Sequence, residues 1–393
     1  MQYPDGTYVI DCIEDLIKHQ KIFMEVVSEI RSDNMFTFPV LTYSLLYKDN
    51  KFVDEDFARW CSDHNTKWND SNFFVSGDVT TLSNCCRLLS DTSKLDAFIN
   101  SIGGTALSIG SVKVNTINLM RIALESKYDE ETYLNMLRER TTLCCKALDA
   151  VRHIISRNIE KGLLPNYQDG GIEMSKQYCT LGILGLYEVI ESFGYTKTDE
   201  FGYTYYTGDG IKFACKIFDV LNDVKDHFTD EYSLNIESVP AERAAVILCQ
   251  KDNALYGLKD KFIYSNQWIP LSTKCTIQEK LKLSAILDAK CSGGSIAHIN
   301  LESNFPNTEM AWEMLNKIAQ SGVIYFAFNT RINECKNHHG FVGTDICPVC
   351  GEGVHDTYQR IVGYLTPTRS YSKDRFREFN MRKWYEYSEM LKE

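Results

Sequence analysis

The chain has 393 residues, of which 44% are hydrophobic and 24% charged, and its formal net charge is −11. This composition indicates a folded protein, and the length predicts two or three domains or one large α/β barrel with additions. The negative charge argues against general nucleic-acid binding, which needs a basic face, and no apolar run reaches the length of a membrane span.

Strand-like and helix-like segments alternate along the chain. The first twenty residues, "MQYPDGTYVIDCIEDLIKHQ", lack a basic region followed by an apolar run. We therefore expect no signal peptide and a cytoplasmic protein. Helical patterns dominate from about 115 to 160. We interpret "CTLGILGLYEVIESFG" as a loop followed by a helix that ends at Gly194, and "GDGIKFACKIFDVLNDVKDHF" as another helix. Short β-rich runs lie between them: "FTFPVLTYSLLY", "NFFVSG", "LSIGSVKV", "SLNIESV", "SIAHINL" and "GVIYFAFN". The alternation predicts an α/β sheet or barrel.

Two adjacent cysteines, Cys85 and Cys86, lie in the polar stretch "SGDVTTLSNCCRLLSD". A buried structural pair is expected in a periodic helical setting such as "TTLCCKALDA", which contains Cys144 and Cys145. Polar neighbours and Arg87 favour a reactive, partly accessible thiol. An ordinary loop cysteine or a strained vicinal disulfide is the alternative.

A second cysteine group lies in "ECKNHHGFVGTDICPVCGEG". Cys335 and His338 form a C-x-x-H pair, Cys347 and Cys350 form a C-x-x-C pair, and eight residues separate the two pairs. Three sulfurs and one imidazole suit tetrahedral Zn²⁺, and four protein ligands predict a structural site. His339 is the alternative to His338, and scattered thiols in a loop are the simpler explanation.

Gly363 follows in "YQRIVGYLTPTRS". Alone, this glycine is explained by a turn, because glycine adopts positive φ without strain. Its combination with a loop cysteine and a late Cys/His group resembles the class III anaerobic ribonucleoside-triphosphate reductases, which are glycyl-radical enzymes. Other stretches similar to that family occur in its order: "FTFPVLT", "NCCRL", "GSVKVNTINL", "QYCTLGILGLYE", "PAERAA", "YSNQWIPL", "GGSIAHINL" and "GVIYFAFNTRINEC".

The resemblance implies a fold and a mechanism. Residues 1–330 would form part of a ten-stranded α/β barrel with a finger loop, and residues 331–393 a zinc-binding and glycyl-radical domain. A radical-SAM activating enzyme would generate the radical on Gly363, which would pass to Cys86, or to Cys85, as a thiyl. The thiyl would take the ribose 3′ hydrogen of a ribonucleoside triphosphate, with formate or a thiol protein as the reductant.

Four glycines are candidates for phosphate binding. Gly182 and Gly185 could open a helix whose N–H groups face a phosphate, and Gly293 and Gly294 are a second candidate pair. Plain turns explain both pairs equally simply.

The chain departs from the family in two ways. The metal site of the family has four cysteines, and here His338 takes the second position. The family's chains are longer, and this chain matches their C-terminal part. We therefore expect a separate N-terminal polypeptide and a homo-oligomer of the complete enzyme. Two alternatives stay open, a formate-lyase type of glycyl-radical enzyme and an inactive, truncated, zinc-clamped binding module.

Overall fold

The computed structural model describes residues 12–77, 81–83, 89–91, 110–239, 241–258, 260–361 and 363–390, with the backbone alone for 81–83 and 89–91. The helices are α1 (Ile13–Asp33), α2 (Glu55–Asn65), α3 (Leu119–Glu125), α4 (Glu130–Glu160), α5 (Pro165–Gln168), α6 (Leu186–Ser192), α7 (Gly208–Phe228), α8 (Glu242–Tyr256), α9 (Ile277–Asp288), α10 (Thr308–Ser321), α11 (Lys373–Asn380) and α12 (Tyr387–Met390). The strands are β1 (Thr42–Lys48), β2 (Lys51–Phe52), β3 (Asn72–Ser76), β4 (Thr81–Ser83), β5 (Leu89–Asp91), β6 (Gly110–Asn118), β7 (Gln177–Leu184), β8 (Thr196–Thr198), β9 (Thr204–Tyr206), β10 (Leu234–Ser238), β11 (Ala297–Asn300), β12 (Tyr325–Asn329), β13 (Ile332–Cys335), β14 (Gly340–Val342), β15 (Val354–Arg360) and β16 (Leu365–Pro367).

Two sheets form the centre of the α/β part. A parallel sheet has the order β10-β7-β6, and a mixed sheet has the order β11-β12-β3-β1-β2. Strand β12 runs parallel to β11 and antiparallel to β3. A bridge between Glu237 and Gly294 joins the end of β10 to the segment that leads into β11, so the two sheets are neighbours. The predicted mixed α/β fold is confirmed, and the ten-stranded barrel stays a prediction.

The central strands are buried on both faces. Every residue of β7, β10, β11 and β12 is buried, as expected for strands that have helices on both sides. This explains why the loop interpretation of "CTLGIL" was wrong: those residues belong to β7, and a strand buried on both faces has no polar alternation. Similarly, β6 extends to Asn118, so residues 115–118 are strand and not helix.

Helices cover both sheets. Helices α3, α4, α6 and α7 pack on the parallel sheet, and α1, α2 and α10 pack on the mixed one. Helix α7 matches its prediction, and it begins where the Thr207 hydroxyl accepts a hydrogen bond from the N–H of Gly210. Within the described ranges, no helix is both long and apolar enough to span a membrane.

The last part of the chain forms a small antiparallel sheet. Its order is β14-β13-β15-β16, and α11 and α12 follow. The tail returns to the mixed sheet, because the N–H of Tyr385 donates to the carbonyl of Asn300 at 2.8 Å. The domain boundary between residues 330 and 331 stays a prediction.

Candidate active site and metal centre

Gly363 lies in a tight loop between two paired strands. Strands β15 and β16 are antiparallel, and Arg360 pairs with Leu365. We call the connection between them, whose described residues are Ile361, Gly363 and Tyr364, the glycine loop. Gly363 is buried. A residue at this position is therefore held inside the protein and not at a solvent-exposed turn.

Side chains from separate parts of the chain hold the carbonyl groups of the glycine loop and of the strand before it. The contacts are Tyr371 Oη to Gln359 O at 3.2 Å, Arg382 Nη1 to Arg360 O at 2.9 Å, Asn266 Nδ2 to Ile361 O at 3.5 Å and Asn72 Nδ2 to Gly363 O at 2.9 Å. These contacts hold the backbone at two points in the loop and at two points in the strand before it.

Arg382 is itself held by a buried ion pair. Its Nε and Nη2 donate to the two carboxylate oxygens of Glu378 at 2.9 and 3.1 Å, and Arg375 lies 3.3 Å from the same carboxylate. Burial would raise the pKa of Glu378, but the two guanidinium groups outweigh that effect and lower it. The segment after helix α11 thus places a fixed cation, Arg382, against the strand that leads into the glycine loop.

The residues on each side of the loop are also anchored. The buried guanidinium of Arg360 donates through Nη1 to Asn69 O at 2.8 Å and to Asn329 Oδ1 at 2.8 Å, and burial lowers its pKa to about 10. The hydroxyl of Tyr364 donates to the carboxylate of Glu242 at the start of α8. The contact of Arg360 with Asn329 ties the strand before the loop to β12, and the contact of Tyr364 with Glu242 ties the loop to helix α8.

The cysteine pair lies outside the described residues. The backbones of β4 and β5 form a hairpin in which Ser83 pairs with Leu89. Cys85 and Cys86 belong to residues 84–88, between these strands, and their role stays a prediction.

Four side chains form a metal-ligand group in the small sheet. They are Cys335, His339, Cys347 and Cys350, with all ligand atoms within 4.8 Å of one another. His339 Nδ1 lies 3.5, 3.6 and 3.3 Å from the sulfurs of Cys335, Cys347 and Cys350, and the sulfurs of Cys335 and Cys350 are 3.7 Å apart. Zn–S bonds of about 2.3 Å and a Zn–N bond of about 2.1 Å in a tetrahedron require separations of about 3.6–3.8 Å. The geometry therefore fits zinc.

The structure corrects one predicted ligand, because His339 and not His338 belongs to the group. His338 adopts a positive φ of 69° in the turn after β13, which directs its ring away from the sulfurs. Its Nδ1 lies 2.8 Å from the buried carboxylate of Glu334, and 62% of its side chain is exposed. The C-x-x-H spacing gave no information about this turn.

Hydrogen bonds favour the thiolate form of one cysteine. The backbone N–H of Glu352 and the side chain of Asn337 lower the pKa of the Cys350 thiol to about 6. A thiolate is the form that binds a metal.

The proposed phosphate glycines have structural explanations. Gly182 lies inside β7, where a Cβ would come within 2.4 Å of Val239 Cγ1. Gly185 has a φ of 84° and donates its N–H to Ser265 O, while Gly293 donates to Ile236 O and Gly294 to Cys291 O. The N–H groups of Gly185, Gly293 and Gly294 are therefore bonded to backbone carbonyls, and phosphate binding by these residues stays an untested prediction.

A cavity of about 210 Å³ adjoins the glycine loop. Glu188, Lys261, Ile361 and Arg382 are among the residues that line it. Glu188 Oε1 accepts from the N–H of Ser265 at 2.8 Å, and Oε2 has no hydrogen-bond partner among the described residues. Burial raises the pKa of Glu188 to about 7.

The sequence did not single out Asn72, Glu188 or Arg382, and it named His339 only as the alternative to His338. Only His339 had a usable signal, as the neighbour of a predicted ligand. Arg382 lies in a charged, aromatic tail that is typical of a solvated surface, yet it is buried.

Comparisons with known proteins identify the family. A family model described as anaerobic ribonucleoside-triphosphate reductase matches residues 8–385. The anaerobic ribonucleoside-triphosphate reductase of Escherichia coli strain K12 is 28% identical over 290 residues, which are 64% of this chain and 39% of that protein. The chain thus spans well under half the length of this relative.

Solved structures of anaerobic ribonucleotide reductases are also similar to this chain. The anaerobic ribonucleotide reductase from Thermotoga maritima, in complex with dATP and CTP, is 44% identical with a TM-score of 0.85, over 96% of this chain and 61% of that one. A glycyl radical enzyme from Archaeoglobus fulgidus is 11% identical with a TM-score of 0.55, over 91% of this chain and 54% of that one, and this likeness concerns the fold alone. Because the family model covers nearly the whole sequence, the chain belongs to the anaerobic ribonucleoside-triphosphate reductase family.

Proposed function

We propose that this chain is the radical-bearing part of an enzyme that reduces ribonucleoside triphosphates to 2′-deoxyribonucleoside triphosphates. The buried, multiply anchored position of Gly363 carries the proposal. Glycine suits a radical on Cα because, without Cβ, the centre can flatten and delocalise into the two adjacent peptide groups. Burial protects such a centre from water and oxygen.

In this proposal the chain's residues act in sequence. A radical-SAM activating enzyme removes one hydrogen atom from Cα of Gly363. The glycyl radical then takes a hydrogen atom from the thiol of Cys86, with Cys85 as the alternative, and the thiyl takes the ribose 3′ hydrogen. The 2′-hydroxyl leaves as water, and an external reductant completes the reaction. The Thermotoga maritima relative, solved with dATP and CTP, supports a nucleotide substrate.

We also propose that Cys335, His339, Cys347 and Cys350 hold a structural Zn²⁺. Four protein ligands leave no position for water, so the ion would have no catalytic step. Cys335 lies at the end of β13, His339 in the turn before β14, and Cys347 and Cys350 in the segment between β14 and β15. Zinc would therefore stabilise the sheet whose last two strands present the glycine loop.

The complete enzyme requires more polypeptide than this chain. The chain covers 39% of the Escherichia coli relative and 61% of the Thermotoga maritima chain. From the family resemblance, we propose that a separate N-terminal polypeptide supplies the rest. A homo-oligomer of the complete enzyme and a cytoplasmic location belong to the same proposal.

Backbone cleavage by oxygen tests the proposed radical position. The chain is activated anaerobically, exposed to air and analysed by mass spectrometry. We expect a break at Gly363 that is absent without activation and absent in Gly363→Ala. An intact chain after activation, with zinc bound, would instead favour a zinc-clamped binding module.

A further inference from the structure

One side chain contacts the peptide group of Gly363 directly. Asn72 is the first residue of β3, and its carboxamide is completely buried. Its Nδ2 donates to the carbonyl oxygen of Gly363 at 2.9 Å and to the hydroxyl of Tyr325 at 2.9 Å. Strands β3 and β12 are antiparallel neighbours, with Phe74 opposite Tyr325, so the central sheet itself sets this arrangement.

A hydrogen bond to the carbonyl oxygen of Gly363 affects how far the unpaired electron of a Cα radical delocalises. The unpaired electron delocalises from Cα into the adjacent carbonyl, and that oxygen gains negative charge as it does so. A fixed donor aimed at the oxygen stabilises the delocalised form, as donors stabilise developing charge in other active sites. It also holds the peptide plane in one orientation.

We propose that Asn72, oriented by Tyr325, positions the Gly363 peptide and stabilises its radical. This inference rests on the proposed function. Asn72 Oδ1 has no hydrogen-bond partner among the described residues, so the contacts of this buried carboxamide are made through the amide nitrogen that faces Gly363.

Other hydrogen bonds hold the backbone beside the glycine loop, so the inference can be tested in a variant that keeps the loop in place. Arg382 holds Arg360 O, Tyr371 holds Gln359 O, and these contacts do not involve Asn72. We therefore expect the loop to keep its place when the Asn72 side chain is shortened. A purely structural role would then leave the spectrum of the radical unchanged.

The test is electron paramagnetic resonance of the purified chain after anaerobic incubation with a radical-SAM activating enzyme, S-adenosylmethionine and a reductant. In Asn72→Ala we expect a doublet with a wider splitting, because more spin density stays on Cα. We expect the radical yield to fall about threefold to tenfold, as for the loss of one hydrogen bond. Asn222→Ala is the matched control, because Asn222 donates to the carbonyl of Lys290 at 2.9 Å, away from the loop.

Each outcome decides the question. An Asn72→Ala doublet with the splitting and yield of the unchanged protein would overturn the inference, as would the same change in Asn222→Ala. If Asn72→Ala does not fold, as judged by zinc content and thermal unfolding, Tyr325→Phe replaces it, and we expect a smaller change in the same direction. No doublet in the unchanged protein would refute the proposed function itself, and the inference with it.

Discussion

Removing the His339 ring should abolish tight zinc binding, while removing the His338 ring should not. Structural zinc sites contribute about 10–16 kcal/mol, so each of four ligands contributes on average about 2.5–4 kcal/mol. His339→Ala should therefore weaken zinc affinity by about two to three orders of magnitude. His338→Ala removes only the contact with Glu334, which still accepts a hydrogen bond from Tyr358 at 3.1 Å.

The assay is competition for zinc with a chromophoric chelator, together with the metal content of the purified variants. His338→Ala should keep the affinity of the unchanged protein and lose about 1 kcal/mol of unfolding free energy or less. Loss of zinc from His338→Ala with retention in His339→Ala would refute the geometric reasoning, and retention in both would exclude either ring as a ligand.

Three further predictions concern stability, measured by urea denaturation. Glu188→Gln should stabilise the protein at pH 8 and make its stability depend less on pH. The carboxyl of Glu188 has a pKa of about 7 in the folded state and about 4.5 in the unfolded chain. The stability of the unchanged protein therefore falls as the pH rises between these values, by about 3 kcal/mol. Equal pH dependence in both proteins would contradict this. Arg382→Met should cost about 3–5 kcal/mol because it leaves Glu378 buried with one partner fewer, and a cost below 1 kcal/mol would argue against a buried pair. Gly182→Ala should cost about 1–3 kcal/mol, since the added Cβ would meet Val239, and a neutral effect would mean that the strand shifts freely.

The sequence predicted a helix with a clear period and several short strands, including strands that are buried on both faces. Helix α7 and strand β3 were confirmed, and the β-rich runs that form β10, β11 and β12 were confirmed as well. Strand β7 was missed because its glycine at 182 suggested a loop. That glycine instead lies where neighbouring side chains leave no room for a Cβ.

The candidate site was also predicted only in part. Residue types and spacing predicted a metal-binding group, because ligand chemistry is a property of single residues, and the resemblance to the family singled out Gly363. The choice between His338 and His339 depends on one positive φ, which the sequence does not contain. Asn72 and Gly363 are 291 positions apart in the sequence, so only the fold brings them into contact.

The central claim is that Gly363 carries an unpaired electron. Electron paramagnetic resonance of the anaerobically activated chain, recorded beside the Gly363→Ala variant, tests it most directly. The account predicts a glycyl doublet in the unchanged protein and none in the variant, with equal zinc content in both. A doublet that persists in Gly363→Ala would place the radical elsewhere, and no doublet in either protein would contradict the claim.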